Sequence, residues 1–192
     1  MTTREFAQVS GHPAFRHKGP WTEDDYLALP RDGRIELVDG ALLLGPGASE
    51  QRVRMVSRVR DALRAVLPDG LRVLGPLLLR LGPNCVLVPD LVVTGAADDD
   101  IAPVLDADAA LMVIEVVGRD HGATDRTFKP QLYARSGIPY SVLIDHDDPS
   151  AVAGMIISGR YHEYARAAAG ERLRLEEPFV LEMDLAATRP ER

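Results

Sequence analysis

The sequence predicts an α/β domain built around a mixed sheet. Three observations lead there. Predicted elements run helix, strands, helix, strands, helix, strands. A long amphipathic helix lies between Ser49 and Leu67. The run Leu111-Met112-Val113-Ile114-Glu115-Val116-Val117 is too uniformly apolar for a half-exposed strand, so it suits a central strand covered on both faces. The chain has 192 residues, 46% of them hydrophobic and 27% charged, the composition of an ordinary globular protein. At that length it can bury roughly 70% of its unfolded surface without disulfides or structural metal.

Residues 1–19 contain Gly11, Pro13 and Gly19 among few apolar residues and read as a flexible arm. Residues 20–185 then form one domain, followed by a tail from 186 to 192. In Trp21-Thr22-Glu23-Asp24-Asp25-Tyr26-Leu27-Ala28-Leu29-Pro30, Thr22 caps a short helix, acids fill its first turn and Pro30 closes it. The stretch from Arg34 to Leu44 reads as a hairpin around Asp39-Gly40. In the Ser49–Leu67 helix the apolar stripe is Met55, Val56, Val59, Ala62, Leu63, Val66 and Leu67, with Arg54, Arg58 and Arg64 pointing away from it.

Pro68-Asp69-Gly70 ends that helix, and three strand-like runs follow: Leu71–Leu74, Leu77–Leu81 and Val86–Val93. Gly95 to Ala110 reads as mostly loop, since its aspartates Asp98, Asp99, Asp100, Asp106 and Asp108 repel one another and disfavour strands. After the central strand comes a helix over about Thr124–Ser136, ended by Gly137. Tyr140–Asp145 is a further apolar strand. Ala153–Val180 alternates like a β-meander with turns at Ser158-Gly159 and Ala169-Gly170.

Several classes of function are excluded at this stage. No apolar run approaches the roughly 18 to 20 residues of a membrane span, and the N-terminus lacks a signal core, which makes a cytoplasmic location the expectation. Net charge is −7, arguing against a whole-surface nucleic-acid binder but not against a local basic groove. Arg52, Arg54, Arg58, Arg60 and Arg64 against Glu50 and Asp61 leave +3 on the long helix; this is either a DNA-facing surface, with Arg54 and Arg58 as candidate contacts, or a solvated face. The single cysteine, Cys85, reads as a buried reduced thiol. The five histidines have neither i,i+4 pairing nor cysteine neighbours, so zinc is not expected. Phosphate-binding Gly-rich loops and the Gly-x-Ser-x-Gly elbow are absent from the sequence.

Two acids sit where folding alone would not choose them: Asp90 in Val88-Pro89-Asp90-Leu91-Val92 and Glu115 in the central strand. Burying a lone carboxylate is costly unless a charge or metal compensates it. Glu36 has a similar apolar setting, and Lys129 lies on the helix after the Glu115 strand. Each has a purely structural reading: Asp90 closing a turn after Pro89, Glu36 pairing with Arg34, Lys129 solvated. Together, three carboxylates and an ammonium make a hard-oxygen site for magnesium or manganese beside a phosphate-stabilising cation.

The ordered motifs Trp21-Thr22-x-x-Asp25-Tyr26-Leu27-x-Leu29-Pro30, Glu36-Leu37-Val38-Asp39-Gly40, Val88-Pro89-Asp90-Leu91-Val92-Val93, Glu115-Val116-Val117 and Asp125-x-x-x-Lys129-x-x-x-Tyr133-Ala134-x-x-Gly137-Ile138-Pro139 resemble the Uma-type (Uma-two) endonuclease family. That family belongs to the restriction-endonuclease-like PD-(D/E)XK superfamily, and the resemblance spans about residues 21–180. It implies a restriction-endonuclease-like mixed central sheet flanked by helices, with extra β-hairpins. It further implies that Asp90 and Glu115 bind Mg2+ or Mn2+, with the Val116 carbonyl as a further ligand, and that Lys129 takes the catalytic lysine role. Glu36 matches the family's early acid, a supporting ligand or water-orienting group. Tyr133, one helical turn past Lys129, either hydrogen-bonds the site or packs. The chain departs from the family at Gln51, at Gly118-Arg119-Asp120-His121, at Tyr140-Ser141-Val142-Leu143, and at Pro130, which fits a helix only if Lys129 lies in its first turn.

The function so implied is a divalent-metal-dependent endonuclease hydrolysing DNA phosphodiester bonds, with a homodimer expected because two sites cut a duplex more readily. The alternative is a nuclease fold that no longer cuts and serves as a homodimeric DNA-binding or interaction module.

Overall fold

Thr22 opens the first helix, α1 (Glu23–Leu27), through a capping box: its hydroxyl accepts from the Asp25 amide at 3.2 Å while the Asp25 carboxylate accepts from the Thr22 amide. These features belong to a computed structural model that describes residues 17–30, 34–45, 47, 49–95, 103–119 and 124–185. Most of the expected N-terminal arm, Asp98 to Asp100, Asp120 to His121 and the tail 186–192 lie outside the described residues. Helix α1 buries Tyr26, whose hydroxyl donates to the Ile35 carbonyl at 2.7 Å, tying the helix to the hairpin of β1 (Ile35–Val38) and β2 (Ala41–Leu44). Asp39 and Gly40 both have positive φ, 48° and 79°, the backbone that a two-residue turn between twisted strands demands.

Helix α2 (Glu50–Val66) is capped by Ser49 and buries Met55, Val59 and Leu63, as its periodicity requires. Arg52 is buried on the same side, three residues before Met55. Strands β3 (Leu71–Leu74), β4 (Leu78–Gly82), β5 (Cys85–Leu87) and β6 (Leu91–Gly95) follow. The sequence suggested one strand over Val86–Val93, but Val88-Pro89-Asp90 interrupts it, and β5 and β6 belong to different sheets. Pro89 has no N–H to give to a ladder, so the chain crosses between sheets there.

A second difference lies in the stretch read as loop. There β7 (Val104–Asp106) pairs parallel with β4, and a 3-10 turn over Ala107–Ala109 leads into β8 (Ala110–Val117). Burial of Val104 beside Tyr26, Leu37 and Val86 overrides the poor strand propensity of the neighbouring aspartates. The helix expected from Thr124 begins as one π-helical turn over Thr124–Phe128, and α3 proper is Lys129–Arg135. Pro130 is thus in the first turn, where its missing N–H costs nothing. Gly137 (φ 81°) ends α3, the Ile138 and Gly137 amides reaching the Tyr133 and Ala134 carbonyls. The chain finishes with β9 (Tyr140–Asp145), β10 (Ser150–Ile157), β11 (Arg160–Ala167), β12 (Arg172–Leu175) and β13 (Leu181–Asp184). The meander starts at Ser150 rather than Ala153 because β10 pairs with β9 over its whole first half.

The six-stranded sheet has the order β11-β10-β9-β8-β6-β3; β8 and β9 are parallel and the other pairs antiparallel. Strand β8 lies inside it, buried at every position but Leu111, as its composition predicted. One face packs against α2 and the β12-β13 pair through Met55, Val59, Leu63, Ile114, Val116, Leu173 and Leu181. The other meets a five-stranded sheet, β2-β1-β5-β4-β7, and α3 through Val38, Leu79, Leu87, Val113, Tyr133 and Ile138. Alternation along β8 puts Glu115 on this second face with Val113, between the two sheets.

Gly75, at φ 133°, runs against the sheet crossing: a methyl group there would stand 2.3 Å from the Asp90 carbonyl oxygen. Gly75→Ala is therefore expected to lower stability by at least about 2 kcal/mol, a fall in melting temperature of roughly 4 to 8 °C, measurable by thermal denaturation.

Candidate active site

The crossing from β5 to β6, the end of β8, the start of β1 and the N-terminal turns of α2 and α3 bring seven charged side chains together. Lys129 Nζ lies 2.7 Å from Glu36 Oε2, 2.6 Å from Asp125 Oδ1 and 3.7 Å from Glu115 Oε1. Glu36 Oε1 also accepts the Val88 amide at 2.9 Å, fixing the crossing to β1. Tyr133 donates to Glu115 Oε1 at 2.6 Å, so of the two roles open to it the hydrogen bond is made, on a fully buried ring. Glu115 Oε2 accepts from Arg34 at 2.9 Å, and the same guanidinium reaches Asp90 Oδ1 at 3.1 Å. Arg52 donates to Asp90 Oδ1 at 2.6 Å and to the Val116 carbonyl at 3.0 Å, while the Val116 amide donates to Asp90 Oδ2 at 2.8 Å.

Glu36, Asp90, Glu115, Lys129 and the Val116 main chain, singled out in the sequence, thus share one cluster. Arg54 and Arg58 do not join it. Two and six residues beyond Arg52, they leave α2 by other faces, Arg54 pairing with Glu50 and Arg58 donating to the Asp184 carbonyl at 3.3 Å. Sequence reasoning missed Arg34, Arg52 and Asp125 as members. Each had a signal: Arg34 shares a strand face with Glu36 by period two, Asp125 precedes Lys129 by one helical turn, and Arg52 continues the stripe of Met55, Val59 and Leu63.

Electrostatics explain why so much charge survives burial. Burial raises the carboxyl pKa values of Glu36, Asp90 and Glu115 above the ordinary range, against the lowering pull of Lys129 on Glu36 and Glu115 and of Arg34 on Asp90. For Lys129 burial opposes the charge, but Glu115 and Glu36 outweigh it and push its pKa up to about 12, so it stays an ammonium at neutral and mildly alkaline pH. Burial, then Glu115, drives the Tyr133 hydroxyl well above its usual value and keeps it a donor. Cys85 is buried and unbridged, its pKa raised to about 11 chiefly by burial.

Among the described residues no three His, Cys, Asp or Glu side chains gather closely enough to cage a metal ion. Asp90 Oδ1 and Glu115 Oε2 are nevertheless bridged by one guanidinium, that of Arg34, through its two terminal nitrogens, with the Val116 carbonyl accepting from Arg52. Two carboxylates and a carbonyl are hard oxygen donors of the number magnesium takes when substrate and water complete its shell. The residues fit such an ion provided the Arg34 guanidinium gives way.

The chain is thus a mixed α/β fold with Glu36 and Glu115 on strands, Asp90 at the crossing between the sheets and Lys129 on a helix. It is similar to the crystal structure of a protein from Anabaena variabilis ATCC 29413 described as a putative nuclease belonging to DUF820. The TM-score is 0.65 at 20% sequence identity, over 76% of this chain and 84% of that one. Residues 23–188 match the family described as Uma2, putative restriction endonuclease, and the chain belongs to that family. No curated protein matches it. No helix among the described residues is long and apolar enough to cross a membrane.

Lys129→Met leaves Glu36 and Asp125 buried without their cation and is expected to cost about 3 to 5 kcal/mol in urea denaturation, whereas adding Glu36→Gln to it recovers part of that loss. Tyr133→Phe removes one hydrogen bond to a buried carboxylate and should cost about 1.5 to 3 kcal/mol by the same measurement.

Proposed function

We propose that the protein is a divalent-metal-dependent endonuclease hydrolysing phosphodiester bonds in DNA. The observation that carries this reading is that one cation bridges Asp90 and Glu115, Arg34 Nη1 lying 3.1 Å from Asp90 Oδ1 and Nη2 2.9 Å from Glu115 Oε2, with Lys129 behind Glu115. Membership of a family described as putative restriction endonucleases, and a fold shared with a protein described as a putative nuclease, support it.

In this reading Asp90, Glu115 and the Val116 carbonyl hold Mg2+ or Mn2+. Such an ion, when bound, makes a water more acidic and offsets charge on the phosphate. Lys129 supplies a fixed positive charge beside Glu115 for the negative charge that develops on the phosphoryl oxygens. Glu36 and Asp125 aim the ammonium, and Glu36 is the supporting carboxylate that orients water. Tyr133 holds Glu115 Oε1 so that Oε2 faces the substrate side. Arg54 and Arg58, on the outer faces of α2, contact DNA phosphates away from the reacting bond. The protein acts in the cytoplasm as a homodimer, one site per strand.

One observation favours a second reading, a catalytically silent DNA-binding or interaction module: Arg34 and Arg52 already pair with the candidate metal ligands. Calorimetric titration of Mn2+ and Mg2+ into the wild type, Asp90→Asn and Glu115→Gln, followed by incubation with supercoiled plasmid, separates the two. The nuclease reading expects metal binding and nicking by the wild type and at least about a hundredfold slower nicking by either variant. A folded wild type that neither binds metal nor nicks would leave the module.

A further inference from the structure

Arg34 holds the place in which the proposed function seats an ion. Its guanidinium lies 3.1 Å from Asp90 and 2.9 Å from Glu115, the two carboxylates that a divalent ion would share. We propose that Arg34 is an internal counter-cation that exchanges with the divalent ion, and that the released guanidinium binds the phosphate of the incoming strand. This rests on the metal-dependent reading of the same site.

Three observations single out Arg34 from its neighbour Arg52. The Arg34 side chain is 13% exposed and that of Arg52 4%, so only the former borders solvent. Arg34 Nε is buried without a hydrogen-bond partner, whereas Arg52 Nε donates to the Val116 carbonyl at 3.0 Å. An unsatisfied buried N–H costs free energy and weighs against this placement of the guanidinium. Arg34 also stands immediately before β1, at the open end of the hairpin where its carbonyl accepts from the Gly45 amide at 2.8 Å, while Arg52 sits within the 17-residue helix α2.

Charge balance points the same way. Glu36, Asp90, Glu115 and Asp125 oppose Arg34, Arg52 and Lys129, leaving one negative charge in excess. A divalent ion added with Arg34 retained takes the cluster one charge positive, and the single negative charge of a phosphodiester returns it to neutral. The ion and the phosphate therefore complement the site together, with Arg34 turned from carboxylates to phosphate. An arginine fork matches phosphate oxygens as well as it matches a carboxylate pair.

The test uses the full chain and Mn2+ as the probe, comparing wild type with Arg34→Ala and with Arg34→Gln; Arg34 also donates to the Val88 carbonyl at 2.5 Å, and the glutamine keeps a side-chain N–H donor should the alanine variant not fold. Calorimetry is expected to show Mn2+ binding at least about tenfold tighter in the variant, because a competing cation is gone. Affinity for a short DNA duplex in Ca2+ is expected to fall, with the slope of log affinity against log salt shallower by about one. In the labelled wild type, Mg2+ should shift the Arg34 Nε resonance.

Equal or weaker Mn2+ binding by a folded variant, or an Arg34 resonance unmoved by bound Mg2+, overturns the exchange. An unchanged salt slope overturns the phosphate contact. A wild type that binds Mn2+ and nicks plasmid beside a variant with no gain in affinity removes the Arg34 proposal and leaves the nuclease reading standing. Absence of Mn2+ binding in wild type and variant alike removes both, and binding by the variant alone supports exchange in its extreme form.

Discussion

The rest of the structure depends on burying four carboxylates and three cations at one seam. Isolated, any one of these charges would cost several kcal/mol to remove from water. Paired as they are, they become the place where the two sheets are fastened: Glu36 brings β1, Asp90 brings the crossing, Glu115 brings β8, Arg52 brings α2 and Lys129 brings α3. Apolar packing on either side supplies most of the driving force for folding. It is non-directional. Hydrogen bonds near 2.6 to 2.9 Å between forked and planar groups are not, so the polar seam fixes what the apolar layers leave loose.

Elements governed by local rules were legible in the sequence. The Thr22 cap, the Asp39-Gly40 turn, the stripe of α2 and the doubly covered β8 each follow from a handful of neighbouring residues, and all four are present. Illegible features depend on partners distant in sequence. Nothing within Val86–Val93 says that its two halves serve different sheets, although Pro89 marks where they part. Nothing near Val104 reveals that a strand in β4 waits for it. The acids of the site were visible because a carboxylate in an apolar run is anomalous by itself. Arg34 and Arg52 were hidden because an arginine beside a strand or along a helix is ordinary until its partner, 56 or 38 residues away, is known.

Pro130 shows how a local rule and a distant demand meet. An α-helix cannot begin much before it, and the chain solves this with a π-helical turn over Thr124–Phe128 whose wider winding still leaves Asp125 2.6 Å from Lys129. Lysine and tyrosine then emerge one turn apart on the face that meets Glu115.

The Val116 amide points to one consequence beyond the site. Backbone pairing between β6 and β8 reaches Leu91 opposite Ile114, and past that point the partner of the Val116 N–H is the Asp90 carboxylate. A side chain thereby serves as the last rung of the ladder. The fraying of this sheet end is tied to whatever Asp90 is doing, so a change in the charge or position of that one carboxylate is transmitted into the main chain of the central strand. Amide exchange at a single backbone position becomes a native reporter of the state of the whole cluster.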